Sequence, residues 1–89
     1  MYVKQIAHIL ESFGVAHKVH ITNEPDVEDH SITLDKEFHL QIGSQEQYLE
    51  LIEELPDGSW SSVTVQPHEM IPIYRMARKI RDIANKRKK

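Results

Sequence analysis

Six histidines stand among fourteen carboxylates in a chain of 89 residues that has no cysteine. The chemistry open to such a set is a general base with its orienting acid, or a cation held by nitrogen and oxygen ligands. Three pairings are worth testing. His17 and His20 have a ligand spacing for a helix, but the residues around them alternate as a strand does, which sends the two rings to opposite faces. His39 with Glu50 would make a base and its orienter if adjacent strands brought them together, yet no Ser, Thr or Cys nucleophile stands beside them. Asp29 and His30 lie in an acid-rich loop that can hold a cation only weakly. None of these has the spacing of a catalytic or metal motif, and the sequence carries no phosphate-binding glycine loop, nucleotide fingerprint or zinc pattern. These residues therefore read as solvated surface. The expectation is no catalytic residue, no metal, no cofactor, and a protein that is not an enzyme.

Charge is the stronger signal. Arg75, Arg78, Lys79, Arg81, Lys86, Arg87, Lys88 and Lys89 stand against a single acid, Asp82, which gives the last stretch a net charge of +7. Before it, Lys4, Lys18 and Lys36 stand against thirteen acids, a net of −10. The overall charge of −3 hides this polarity. Such a separation bears on partners and association, not on the fold. All six histidines lie in the acidic part, so acidification from about pH 7.5 to 5.5 would remove much of its net charge if they titrate near their ordinary value.

The elements that must carry these residues follow from periodicity. Tyr2, Val3, Ile6, Ile9, Leu10 and Phe13 recur at three and four, and Gly14 follows where a left-handed cap belongs, so 1–14 reads as a helix. Val15 to Ile21 alternates as a strand. Thr22 to His30 contains Asn23, Pro25 and the acids Glu24, Asp26, Glu28 and Asp29, and reads as an acidic loop. From Ser31 onward, a three-residue turn at Asp35, Lys36 and Glu37 pairs Leu34 with Phe38 and Ile32 with Leu40. A four-residue loop over 43–46 then sets Leu40 opposite Leu49 and Phe38 opposite Leu51. A loop at Pro56, Asp57 and Gly58, of type I with a left-handed glycine bulge, sets Leu51 opposite Val63 and Leu49 opposite Val65. These loops bring Ile32, Leu34, Phe38, Leu40, Ile42, Leu49, Leu51, Val63 and Val65 to one face. A helix over 45–55, with Ser44 and Gln47 as a capping box, is the rival reading of the third strand of this run.

After Pro72, which suits a first helical turn, Ile73, Met76, Ala77, Ile80, Ile83 and Ala84 share one helical face, and Arg75, Arg78, Lys79, Asp82 and Lys86 the other. The expected architecture is α+β in one domain over 1–89: a helix over 1–14, an antiparallel meander of about four or five strands within 15–66, and an amphipathic basic helix over 70–86 packed on one sheet face, with a basic tail at 87–89. The basic stripe reads as a solvated face, as a contact for nucleic-acid phosphates, or as a clasp on the acidic body. The second sheet face would carry Thr33, His39, Gln41, Tyr48, Glu50, Ile52, Glu54 and Trp60, an aromatic patch with an acidic surround that two helices are too few to cover. Trp and Tyr anchor many protein interfaces, although a lone Trp in a small domain is more often core.

The run Phe38, His39, Leu40, Gln41, Ile42, Gly43, then Tyr48 and Leu49, then Glu54, Leu55, Pro56, Asp57, Gly58, Ser59 and Trp60 resembles the short meanders of small orphan proteins from phages and mobile elements, some of them anti-defence proteins of the anti-CRISPR kind. The resemblance covers about a third of the chain and carries over no functional residue. It implies a small inhibitor that occupies a partner's surface and offers acidic side chains where a nucleic-acid backbone would bind.

The functional expectation is therefore a small non-enzymatic interaction protein, phage or mobile-element encoded, that binds a host protein or complex through Glu24, Asp26, Glu28, Asp29, Tyr48, Glu50, Glu53, Glu54 and Trp60. The alternative is a nucleic-acid binder working through Arg75, Arg78, Lys79, Arg81, Lys86, Arg87, Lys88 and Lys89. A homodimer, with the basic helix of one copy on the acidic body of the other, is a third arrangement. No apolar run approaches a membrane span and no signal-peptide pattern is present, so the expected place is the cytoplasm, the host's if phage-encoded.

Overall fold

The computed structural model describes residues 2–21, 29–43 and 48–87. Its elements are α1 (Tyr2–Ser12), β1 (Lys18–Ile21), β2 (Asp29–Thr33), β3 (Phe38–Gly43), β4 (Tyr48–Glu54), β5 (Trp60–Thr64) and α2 (Met70–Arg87). The five strands form one antiparallel sheet in sequence order. This is the expected α+β architecture, with β4 a strand and not a helix.

Helix α1 ends as its sequence suggests. Gly14 takes a φ of 69°, its N–H donates to the Glu11 carbonyl (3.0 Å), and the Val15 N–H reaches back to the Leu10 carbonyl (2.9 Å). That bond pattern is a Schellman cap, which a left-handed glycine makes possible. The β2–β3 turn is held by Asp35, whose carboxylate accepts from the backbone N–H groups of Glu37 (2.8 Å) and Phe38 (3.0 Å). In the β4–β5 turn, Gly58 takes a φ of 86° and donates to the Leu55 carbonyl (3.0 Å), while the Leu55 N–H donates to Ser59 (2.9 Å). This is the type I turn with a glycine bulge that Pro56, Asp57 and Gly58 call for.

One register differs from expectation. Leu40 pairs with Leu51 and Ile42 with Leu49, not Leu40 with Leu49. Gly43 pairs with Tyr48, so the connection is 44–47 in place of 43–46. A shift of two residues keeps every side chain on its face, which is why the apolar pattern could not detect it. The strand expected over 15–21 also begins later, at Lys18.

The core unites one sheet face with both helices: Val3, Ile6 and Leu10 of α1, and Met70 and Ile71 of α2, join Ile32, Leu34, Phe38, Leu40, Ile42, Leu49, Leu51 and Val65. Val63 lies on that face by register but is 48% exposed, because the helices do not reach over β5. At the start of α2 the Glu69 carboxylate accepts from the Gln66 N–H (2.8 Å) while the Glu69 N–H donates to the Gln66 carbonyl (3.0 Å), a reciprocal cap just ahead of the helix.

The docking of α2 corrects the sequence reading. Met76 is 66%, Ile80 62% and Ile83 45% exposed, whereas Arg81 is buried and Arg78 half-buried. The inward face is shifted by one residue, to Met70, Ile71, Tyr74, Arg78 and Arg81, with Ile73 and Ala77 at its border. The cause lies on the sheet: Glu53 stands at a core-facing position and Asp35 and Glu37 at the adjoining turn, and a carboxylate facing a core must be met by a cation.

Candidate interaction surface

The acids and bases first meet between α2 and the end of the sheet. Arg78 contacts Asp35 (3.1 Å), Glu37 (2.6 Å) and, one turn on, Asp82 (2.7 Å). Arg81 donates from Nε to Glu37 (2.6 Å), from Nη1 to Glu53 (3.1 Å) and from Nη2 to the Glu54 carbonyl (3.4 Å). Tyr74 donates its hydroxyl to Asp35 (2.7 Å), its ring meets Phe38 edge-on at 5.5 Å, and the Arg78 guanidinium lies 5.2 Å from the Phe38 ring centre. Two guanidinium forks, with four carboxylates and a phenol, thus form a closed network.

Its electrostatics are consistent with that closure. Partial burial works to raise the Asp35 pKa, but hydrogen bonds from Tyr74, the Glu37 backbone and Arg78 together bring it below the ordinary value. Glu37 is also lowered, first by the hydrogen bond from Arg78, with burial opposing. Tyr74 is raised by burial and by its bond to Asp35.

Of the basic residues expected to meet nucleic acid, Arg78 and Arg81 are therefore engaged inside the molecule. Arg75 stands over the exposed Phe13 ring (5.8 Å) and donates to its carbonyl (3.4 Å). Lys79, Lys86 and Arg87 are exposed. Lys88 and Lys89 lie outside the described residues.

The opposite sheet face is organised by strand alternation. His39 and Gln41 of β3, Glu50, Ile52 and Glu54 of β4, and Trp60, Ser62 and Thr64 of β5 share it by register, and both helices pack on the other side. Ile52 is nevertheless buried, at 8% exposure. His39 lies directly across from it on β3 and Trp60 diagonally across on β5. The two rings lean over β4 from its two neighbours and meet edge-on, 5.3 Å apart at an interplanar angle of 86°. Trp60 remains 60% exposed, so the lone tryptophan of the chain is surface and not core. Burial lowers the His39 pKa, with the Glu54 carboxylate opposing, which favours the neutral ring.

The remaining acids divide. Glu50 and Glu54 flank the ring pair, with Gln41 across from Glu50 and Trp60 across from Glu54. Glu53, grouped with them in the sequence, points the other way, into the clasp. Asp29 opens β2 opposite Gly43, and Tyr48 opens β4 opposite Gly43. Glu24, Asp26 and Glu28 lie outside the described residues. The imagined base pair of His39 and Glu50 is not assembled, since His39 faces Ile52 and Glu50 faces Gln41. His17 Nδ1 bonds the Val15 carbonyl (2.9 Å) and His20 Nε2 bonds Thr33 Oγ1 (3.0 Å).

One contact lay outside the sequence reading, whereas the clasp on the acidic body, one of the three readings of the basic stripe, is seen at Arg78 and Arg81. The partnership of His39 with Trp60 depended on the β3–β4 register, which was two residues out. The clasp had a legible signal in Glu53, an acid at the same strand parity as Leu49 and Leu51. No protein-family model matches the chain, and no curated protein or solved structure matches it either.

Proposed function

We propose that this chain is a non-enzymatic interaction protein that docks the open face of its sheet on a basic surface of a partner protein. The observation that carries the reading is Trp60, more than half exposed, stacked edge-on with His39 and bordered by Glu50 and Glu54 on a face that neither helix covers. A rigid aromatic with a neighbouring ring supplies an apolar anchor at little conformational cost, and the carboxylates around it steer a cationic partner. Occupying a surface that otherwise binds a nucleic-acid backbone, as the resemblance to phage anti-defence proteins implies, is a use this arrangement suits. Among the described residues Arg78 and Arg81 hold Asp35, Glu37, Glu53 and Asp82, whereas Glu50 and Glu54 border Trp60 and carry the proposed recognition.

Nucleic-acid binding is the second reading, favoured by the exposure of Arg75, Lys79, Lys86 and Arg87 along α2. With Arg78 and Arg81 engaged internally, fewer phosphate contacts remain, and affinity would fall correspondingly less steeply with salt.

The test is quantitative capture from host lysate with three baits: the native chain, a Glu50→Lys/Glu54→Lys/Trp60→Ala variant, and a Lys79→Glu/Lys86→Glu variant. The proposal expects a protein captured by the native and helix-variant baits and lost from the sheet-face variant. Capture that survives the sheet-face changes and disappears with the helix changes overturns it. Nuclease treatment of the lysate separates nucleic-acid bridging from direct contact.

A further inference from the structure

The sheet is open, so β1 and β5 are its edges. Their chemistry differs. β1 is four residues long, begins at Lys18, contains His20 and is followed in sequence by Glu24, Pro25 and Asp26. Charge, proline and shortness are the ordinary protections of an edge against pairing. β5, one residue longer, has neither charge nor proline: from Ser59 to Gln66 the chain reads Ser, Trp, Ser, Ser, Val, Thr, Val, Gln, and all five strand residues are exposed.

The backbone of β5 has a definite outward row. The Val65 N–H donates to the Leu49 carbonyl (3.0 Å) and the Leu55 N–H to the Ser59 carbonyl (2.9 Å), so these are hydrogen-bonded pairs of the β4–β5 ladder. Alternation puts Leu51 with Val63 and Glu53 with Ser61 in the same class. Trp60, Ser62 and Thr64 then direct their N–H and C=O groups away from β4, toward the open edge.

We infer that this edge pairs with β5 of a second copy of the chain, antiparallel, about a two-fold axis through Ser62. The outward row selects that centre: Ser62 faces its own copy and Trp60 faces Thr64 of the other, each pair exchanging two backbone bonds. A two-fold contact brings like residues together, so only a neutral edge tolerates it. β5 satisfies that condition, whereas β1 would set Lys18 and His20 close to their own copies. Across the axis, Trp60 and Thr64 form an aromatic–β-branched pair on the open face, a favourable cross-strand combination. Val63, left exposed by the helices, is set opposite Ser61 of the other copy. The two sheets become one, and the two His39–Trp60 ring pairs come to lie on a single continuous face. This arrangement stands whether or not that face binds a partner.

Sedimentation velocity over a concentration and salt series tests it. The expected result is reversible dimerisation of the 10.4 kDa chain that is insensitive to salt, since no charge enters the contact. Ser62→Pro removes an N–H that does not donate to β4 and leaves the fold intact, as edge prolines do, and weakens the dimer about tenfold or more. Ser62→Lys, which sets two ammonium groups on the axis, has the same effect without a backbone change. Amide exchange gives the residue-level readout: Ser62 and Thr64 are protected at high concentration and exchange fast on dilution, while Val63 is protected in both. A chain monomeric at every concentration overturns the inference, as does a dimer that survives both variants or loosens with salt. Protection of Ser62 and Thr64 that appears only when a different protein is added assigns the edge to a foreign strand and equally overturns it.

Discussion

Arg81 and Ile80 are neighbours whose roles are the reverse of what their chemistry suggests. Arg81 is buried among Glu37, Glu53 and the Glu54 carbonyl, while Ile80 is 62% exposed. Arg81→Ala leaves Glu53 without its cation and Glu37 with Arg78 alone, and is expected to cost about 2 kcal/mol. Ile80→Ala removes little packing and raises helix propensity, so its effect stays within about 0.5 kcal/mol. Urea denaturation of the two variants measures the contrast, and equal losses would contradict the observed helix orientation. Hydrophobic periodicity did not reveal this inversion because it ranks side chains by water avoidance alone. The decisive residue was Glu53, at core parity on a strand whose other core positions are Leu49 and Leu51. His39 belongs to the same scale. Its folded pKa lies below its ordinary value of 6.5, so the unfolded chain takes up the proton first and stability falls as pH drops through that value. His39→Gln is expected to remove that upper part of the pH dependence in a thermal-melt series.

The turns were the most legible elements. Gly58 needs its positive φ, and nothing lies within 4 Å of where a Cβ would stand, so Gly58→Ala is expected to cost about 1 kcal/mol through backbone strain alone. The 44–47 connection carries no such signature, and there the register was read two residues out. The junction of α2 with the β2–β3 turn has its own pH signature. The folded pKa values of Asp35 and Glu37 lie below their ordinary values of 3.8 and 4.5. The stability they contribute is fully present above those values and is lost as pH falls through the lower, folded ones. Arg78→Ala removes a partner of both carboxylates and is expected to flatten the acid limb of the stability–pH curve while leaving the His39 limb in place. An unchanged acid limb would show that the clasp contributes little.

For the whole molecule, the segregation of a −10 body from a +7 tail was plain in the sequence, but not where the two would meet. The fold brings part of each charge together at Arg78 and Arg81 and leaves Glu50 and Glu54 beside Trp60 on the opposite side of the sheet. The proposed recognition of a basic partner by that side would be steered by charge, so its association rate is expected to fall with salt while dissociation changes little. Stopped-flow binding at several ionic strengths checks this. The central claim is that the open sheet face is the contact surface, and the chain's single tryptophan reports on that face directly. With 5-fluorotryptophan at position 60, the one 19F resonance is followed while a captured partner is added at fixed chain concentration. A shifted, solvent-shielded resonance at saturation is the predicted result. A resonance unmoved when binding is complete would contradict the account and place the contact elsewhere on the molecule.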